Sequence, residues 1–198
     1  ICRHHLAGSG WRRYQKGEVG AEEFGFDAGS VLEEGVKLPV PYLEVSTKFE
    51  AFDRLLDTEE ALQISGLSAD ELDAIKEVVL KVDAIIDREA AKNGLIHVDG
   101  KKEFALGPDR IPVLVDSFGT LDEDRWWDRE AYERGEIVQL SKEFVRGHYI
   151  ENGHHKELYD ARADGLKEPS IPALPQSMIE RTATLYALMF ERLTGQTF

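Results

Sequence analysis

One stretch narrows the folds open to this chain more than any other: Ile96 to Asp116. It reads Ile96-His97-Val98-Asp99-Gly100-Lys101-Lys102-Glu103-Phe104, then a Gly107-Pro108-Asp109-Arg110 turn, then Ile111-Pro112-Val113-Leu114-Val115-Asp116. Two apolar-alternating runs flank a break rich in turn formers, which predicts a β-hairpin. Strand residues point alternately to opposite faces, so Asp99, Lys101 and Glu103 share one face and Val98, Lys102, Phe104 and Leu106 the other. With the four turn residues as the loop, Leu106 pairs with Ile111 and Lys101 with Asp116. Opposed residues lie on the same face. This register gathers Asp99, Lys101, Glu103 and Asp116, and leaves Ile111, Val113 and Val115 on the apolar side; a slip of one residue would undo it.

Three carboxylates and one ammonium on one patch repel on balance. A like-charge pair at ~4 Å costs about 4 kcal/mol at an effective dielectric near 20. A divalent cation would turn that repulsion into ligation, and hard oxygen donors suit Mg²⁺. On spacing alone, a solvated strand face of alternating charge is the more economical reading.

The chain has 198 residues, enough to bury a core in one or two domains. Its net charge of −14 argues against a nucleic-acid or anionic-membrane surface. One cysteine, Cys2, excludes an internal disulfide and fits a reducing cytosol. No apolar run has the length of a transmembrane helix, and no signal peptide is visible. The chain starts at Ile1 in what reads as a strand, so an N-terminal part is expected to be missing.

Around the hairpin, Arg3, Arg12 and Arg13 flank a Gly8-Ser9-Gly10 break, a candidate phosphate cradle or an ordinary basic turn. Gln15 to Lys37 shows no sustained period and reads as an irregular excursion. Leu38-Pro39-Val40-Pro41 leads into a strand from Tyr42, with Lys48, Glu50 and Asp53 at its exit. Ser68-Ala69-Asp70-Glu71 has capping-box form, and Leu72, Ile75, Val79, Val82 and Ile86 predict a helix ending at Asn93-Gly94 and packed on the hairpin. Ser117 to Asp128 reads as a loop, with acidic residues around Arg125 and an anchor of buried Trp126 and Trp127. Leu140 to Ile150 reads as a short helix, and Glu151 to Ser170 as a loop. His154-His155 in that loop is assigned to solvent rather than to a metal. A last helix follows Pro175 and ends at Gly195, with Ile179, Thr182, Leu185, Met189 and Leu193 as its stripe.

These pieces also form an ordered set. Arg3-x-x-x-x-Gly8-Ser9-x-Trp11-x-x-Tyr14, Leu38-Pro39-x-Pro41, Ser46-Thr47-Lys48-x-Glu50-x-x-Asp53, Val98-Asp99-x-Lys101-x-Glu103-Phe104, Val115-Asp116 through Thr120, Asp122, Arg125 and Trp127, and Leu193-Thr194-Gly195 resemble the SAICAR synthetase family. The resemblance runs in family order over nearly the whole chain. It implies an α+β fold: the larger, C-terminal lobe, related to the ATP-grasp and kinase group, with an antiparallel sheet packed against helices. On this reading residues 1–198 are that lobe, without the N-terminal β-rich lobe that covers ATP. The implied activity is an ATP-dependent ligase of purine biosynthesis in the cytoplasm. It joins the carboxylate of CAIR, a 5-aminoimidazole ribonucleotide, to L-aspartate, giving SAICAR, ADP and phosphate.

Position by position, Glu103 and Asp116 resemble the family's Mg²⁺–ATP carboxylates. Arg3, Ser9 and Arg125 resemble the groups that hold the ribonucleotide and its phosphate. Asp99 and Lys101 resemble the catalytic hairpin residues facing the imidazole, and Lys48 and Asp53 fall in the family's substrate loop. The partners implied are small molecules, with no nucleic acid and no membrane; a homo-oligomer is compatible. Three places depart from the pattern. Ser141-Lys142-Glu143 stands where many relatives have Asp-Lys-Gln, Leu121 replaces a usual proline, and Asp124 replaces a small residue beside Arg125. Two other readings stay open: another ATP- and Mg²⁺-dependent phosphotransferase of kinase-like fold, and a nucleotide-binding lobe without turnover.

Overall fold

The structure is a computed structural model that describes residues 1–48, 50 and 54–198. Eight strands and seven α-helices are assigned among those residues. The strands are β1 (Cys2–His5), β2 (Lys37–Leu43), β3 (Val45–Ser46), β4 (Leu55–Leu56), β5 (Leu95–Gly100), β6 (Glu103–Leu106), β7 (Pro112–Val115) and β8 (Asp124–Asp128). The helices are α1 (Gly8–Gln15), α2 (Thr58–Ser65), α3 (Ala69–Lys92), α4 (Arg129–Glu133), α5 (Glu143–Glu151), α6 (His154–Ala163) and α7 (Gln176–Thr194). A four-stranded antiparallel sheet of order β2-β1-β5-β8 forms the centre, with β3-β4 and β6-β7 as separate two-stranded pairs. The expected α+β class, an antiparallel sheet packed against helices, is the one observed.

The predicted long helix is α3. Ser68 accepts from the Glu71 amide while the Glu71 carboxylate accepts from the Ser68 amide, a complete capping box. Gly94, at φ 66, ends the run in the left-handed region that glycine tolerates best. The helix packs on β5, burying Leu72, Val79 and Ala90. Ala90, Leu95, Trp126 and Met189 tie α3, β5, β8 and α7 into one apolar cluster. Leu6, Phe24, Leu32 and Leu38 form a second under the Gln15 to Lys37 excursion, which holds one 3₁₀ turn, Ala21–Phe24.

The hairpin expectation needs correction. Its first arm is two strands, not one: β5 is the interior strand between β1 and β8, and only β6 pairs with β7. The β6-β7 register is also shifted by one residue. Leu106 pairs with Pro112 and Glu103 with Val115, in place of Leu106 with Ile111. The cause is a five-residue loop, closed by a Gly107 amide to Ile111 carbonyl bond of 3.0 Å and turned by Arg110 at φ 61. The Arg110 guanidinium is tied to Glu71 of α3 at 2.7 Å, which holds it there. Val113 and Val115 therefore share a face with Glu103 and are half-exposed, not apolar core.

Two further expectations fail. Asp124–Asp128 is a strand with both tryptophans fully buried, not a loop, because Trp126 and Trp127 pair with His97 and Ile96 of β5. His154–Ala163 is helix α6, hidden from pattern reading because its faces are nearly uniformly polar. His155 stacks on Tyr159 at 4.4 Å within that helix.

His5, 5% exposed, sits edge-on between Trp127 and Tyr132. Burial pulls its pKa down to about 4 from the usual 6.5. The folded state thus binds the proton less well than the unfolded state. His5 costs no stability above pH 6.5, and stability falls as pH drops from 6.5 toward 4, by up to about 3 kcal/mol. Urea midpoints measured between pH 7 and pH 4 should fall less in His5→Phe than in the wild type; parallel curves would reject this assignment.

Candidate active site

The central sheet places three expected site residues side by side. Arg3 of β1 and Arg125 of β8 both pair in register with Asp99 of β5. Their guanidiniums converge on Asp99 Oδ2, with Arg3 Nη1 at 2.7 Å and Arg125 Nη1 at 2.5 Å. Arg3 Nη2 also donates to Ser9 Oγ at 2.7 Å, in the first turn of α1. Gly8 sits against the Arg125 fork at φ 56; a Cβ there would lie 2.6 Å from Nη2. Only glycine suits that backbone and that approach. Glu44 accepts from Arg3 Nε at 2.8 Å and from Arg13, and Glu143 lies 3.4 Å from Arg125. The result is a set of planar guanidinium forks held by carboxylates, a geometry suited to bidentate anion recognition.

A second group lies beside a cavity of about 270 Å³ whose walls include Glu44, Lys48, Lys101, Glu103 and Phe104. Glu103 contacts Lys48 and lies 2.9 Å from Lys101 Nζ. Lys48 Nζ is also 3.9 Å from Asp116 Oδ2. Asp116 leaves β7 at φ 67, with Oδ1 accepting from the Ser117 amide at 2.8 Å. Lys48 thus supplies the positive charge that two facing carboxylates require. Glu103 and Asp116 offer oxygen donors partly open to solvent, the kind a hard divalent cation takes. The ammoniums that neutralise them, Lys48 and Lys101, are 49% and 34% exposed and, unlike a buried ammonium, can yield to a cation by turning into solvent.

The expected four-residue face is therefore split. Glu103 and Asp116 do come together with Lys101 and Lys48. Asp99 belongs to the arginine cluster instead. β5 ends at Gly100 and residues 101 and 102 belong to no strand, so the strict alternation that placed Asp99 with Lys101 does not run past Gly100. Glu44 bridges the halves, since it bonds Arg3 and lines the cavity. Asp53 lies outside the described residues.

Sequence reading missed a buried ionic cluster. Lys102 Nζ contacts Asp83 of α3 and, at 3.1 Å, Asp124 of β8; His97 Nε2 reaches Asp124 at 2.7 Å. His4 lies 3.3 Å from Asp83. Burial pushes the Asp83 carboxyl up, but the His4 hydrogen bond, Lys102 and His97 outweigh it and hold Asp83 below the carboxylate range. Burial lowers Lys102, and Asp124 and Asp83 reverse that and raise it. Cys2 and His4 with Asp83, and His97 with Asp83 and Asp124, have metal-compatible spacing, but the Lys102 ammonium already occupies both carboxylates. The Cys2 thiol is pushed up by burial and by Asp83, which leaves it inert as a nucleophile. The available signal was a charge on an apolar stripe: Asp83 stands four residues after Val79 on the inner face of α3, and Lys102 falls on the hairpin side with Val98 and Phe104.

Residues 1–161 match the family model described as SAICAR synthetase. The phosphoribosylaminoimidazole-succinocarboxamide synthase of Thermoplasma acidophilum is 49% identical over 196 residues, covering 99% of this chain and 66% of the relative. That of Thermoplasma volcanium is 48% identical with the same coverage. Among solved structures, the SAICAR-synthase from Saccharomyces cerevisiae complexed with SAICAR superposes with a TM-score of 0.73 at 25% identity, covering 100% of this chain and 60% of that one. A SAICAR synthetase in complex with ADP superposes at 0.66 and 25% identity, covering 100% and 62%. The chain spans about two thirds of the length of the curated relatives named here. Matched over most of its length by the family model and by relatives at nearly half identity, the chain belongs to the SAICAR synthetase family.

Proposed function

We propose that the protein containing this chain is an ATP-dependent C–N ligase joining CAIR to L-aspartate, with residues 1–198 as its C-terminal α+β lobe. The observation that carries the reading is the pairing of two sites through Glu44. An arginine cluster on Asp99 stands beside a cavity whose rim holds Glu103, Lys101 and Lys48, the last reaching Asp116. The names of the relatives support it, as do the SAICAR and ADP in the titles of two neighbouring structures.

A carboxylate is a poor acyl donor. Transfer of the ATP γ-phosphoryl to the CAIR carboxylate yields ADP and an acyl phosphate. The aspartate amine then attacks the acyl carbon, phosphate leaves with the bonding pair, and the amine gives up a proton. Phosphoryl transfer asks the protein for positioning and charge neutralisation more than for covalent help. Arg3, Ser9 and Arg125 hold the ribonucleotide and its phosphate. Asp99 keeps both guanidiniums oriented and faces the imidazole. Lys101 stabilises charge developing on the transferring group. Lys48 and Asp53 belong to the substrate loop. Glu103 and Asp116 would hold Mg²⁺, which supplies neutralising charge on the phosphates when bound. Among the described residues no helix is long and apolar enough to cross a membrane.

The experiment is ADP release from the full-length protein with CAIR and aspartate supplied singly and together. Release that requires both is the expected result. Release without either would transfer the protein to another class of phosphotransferase, and no release with ligand binding intact would leave a nucleotide-binding lobe.

A further inference from the structure

The Lys102 cluster has no part in the chemistry above, yet it lies directly beneath the segment that carries that chemistry. The side chains of Lys102, Asp83, Asp124 and His97 are each 1% exposed or less. A buried ion network contributes little net stability over a well-packed apolar core of the same volume. What it does supply is direction, since each bond has one geometry.

That direction acts on the backbone of the 99–103 segment. Gly100 lies between Asp99 and Lys101, and a Cβ on it would fall 1.8 Å from Asp124 Oδ1 and 2.5 Å from Lys102 Nζ. The cluster is packed against the chain at that point, with no room for a side chain. Residues 101 and 102 belong to no strand; the Lys101 amide is held by the Glu123 carbonyl at 3.1 Å. Lys102 therefore crosses between β5 and β6 with its own side chain turned into the core. Its sequence neighbours Lys101 and Glu103 meet each other at the cavity. One residue drawn inward sets its two neighbours outward.

We infer that Lys102, clamped between Asp83 of α3 and Asp124 of β8, is a positioning residue for the reaction: it fixes the β5–β6 crossing so that Asp99 meets the arginines while Glu103 meets Lys101 and Lys48. Asp124, beside Arg125 on β8, is the acceptor that Lys102 and His97 share. The inference rests on the proposed function for what the segment serves, and on the cluster's geometry for how it is held.

Two variants of the full-length protein test it. Lys102→Met leaves two buried carboxylates uncompensated and is expected to lower the thermal midpoint. Lys102→Met/Asp83→Asn/Asp124→Asn removes those charges as well and is expected to recover most of that loss. Turnover should stay depressed by about 10–100-fold in the recovered triple variant, the range seen when a group supporting a ligand is lost. Hydrogen exchange decides the point without substrate: amides of residues 99–104 should exchange about tenfold faster in the triple variant while α3 and α7 are unchanged. Exchange at 99–104 matching the wild type would overturn the inference, and so would wild-type turnover in the triple variant. If the wild type releases ADP without CAIR and aspartate, the ligase reading fails, and the exchange comparison still decides the positioning role.

Discussion

If the proposed ligase function holds, Glu103→Gln in the full-length protein is expected to lose Mg²⁺-dependent turnover by on the order of 10²–10³-fold, the scale on which removal of one preorganised electrostatic group is felt. The substitution keeps the side chain's shape and removes its charge. Glu103 pairs through its backbone with Val115, so the β6-β7 ladder does not depend on the carboxylate. The carboxylate's contacts are Lys48 and Lys101, both partly exposed, so its loss leaves no deeply buried ammonium behind. Melting temperature should therefore change little while the Mg²⁺ dependence of ADP release collapses. Steady-state rates across a Mg²⁺ titration, with a melt on the same sample, make the check. Normal metal dependence in this variant would remove Glu103 from the metal site.

Arg125→Ala should raise KM for the ribonucleotide by about 100-fold and KM for ATP by less than about threefold, in line with the ~2–5 kcal/mol lost when one member of a buried charge pair is truncated. Asp99 keeps Arg3 at 2.7 Å after the change, and Glu143 keeps its contact to Arg146, so neither carboxylate is left bare. The gap opens beneath Gly8, where the guanidinium now fills the space a Cβ would need. Arg125→Lys restores the charge without the planar fork, and an intermediate KM is expected. Initial rates with each substrate varied in turn separate the outcomes. A larger effect on ATP than on ribonucleotide would refute the assignment of Arg125 to the acceptor side.

The two substitutions differ in how far their targets could be seen in advance. Glu103 and Asp116 stood out as acidic residues on one face of a predicted hairpin, and they do meet, through Lys48. The reason given for their meeting was wrong by one residue of register. Arg125 showed no spacing signal, because its partners Arg3 and Asp99 are distant in sequence and reach it only across three adjacent strands. Ordered motif pieces pointed to it, and the sheet supplied the contact.

The sequence by itself determined what is local and periodic. The capping box and apolar stripe of α3, the glycine ends of α3 and α7 and the turn between β6 and β7 follow from neighbours within a few residues, where backbone geometry decides; the α+β class came from the family resemblance. Tertiary structure decided what depends on two elements meeting. Pairing with β1 and β8 sets Asp99 between the two arginines, and the end of β5 at Gly100 parts it from Lys101. A five-residue loop sets the register of β7, and the Lys102 ammonium finds carboxylates on α3 and β8. Periodicity reports which side of an element faces inward. It does not report which charge waits there, because the partner that makes a buried charge tolerable arrives from another part of the chain.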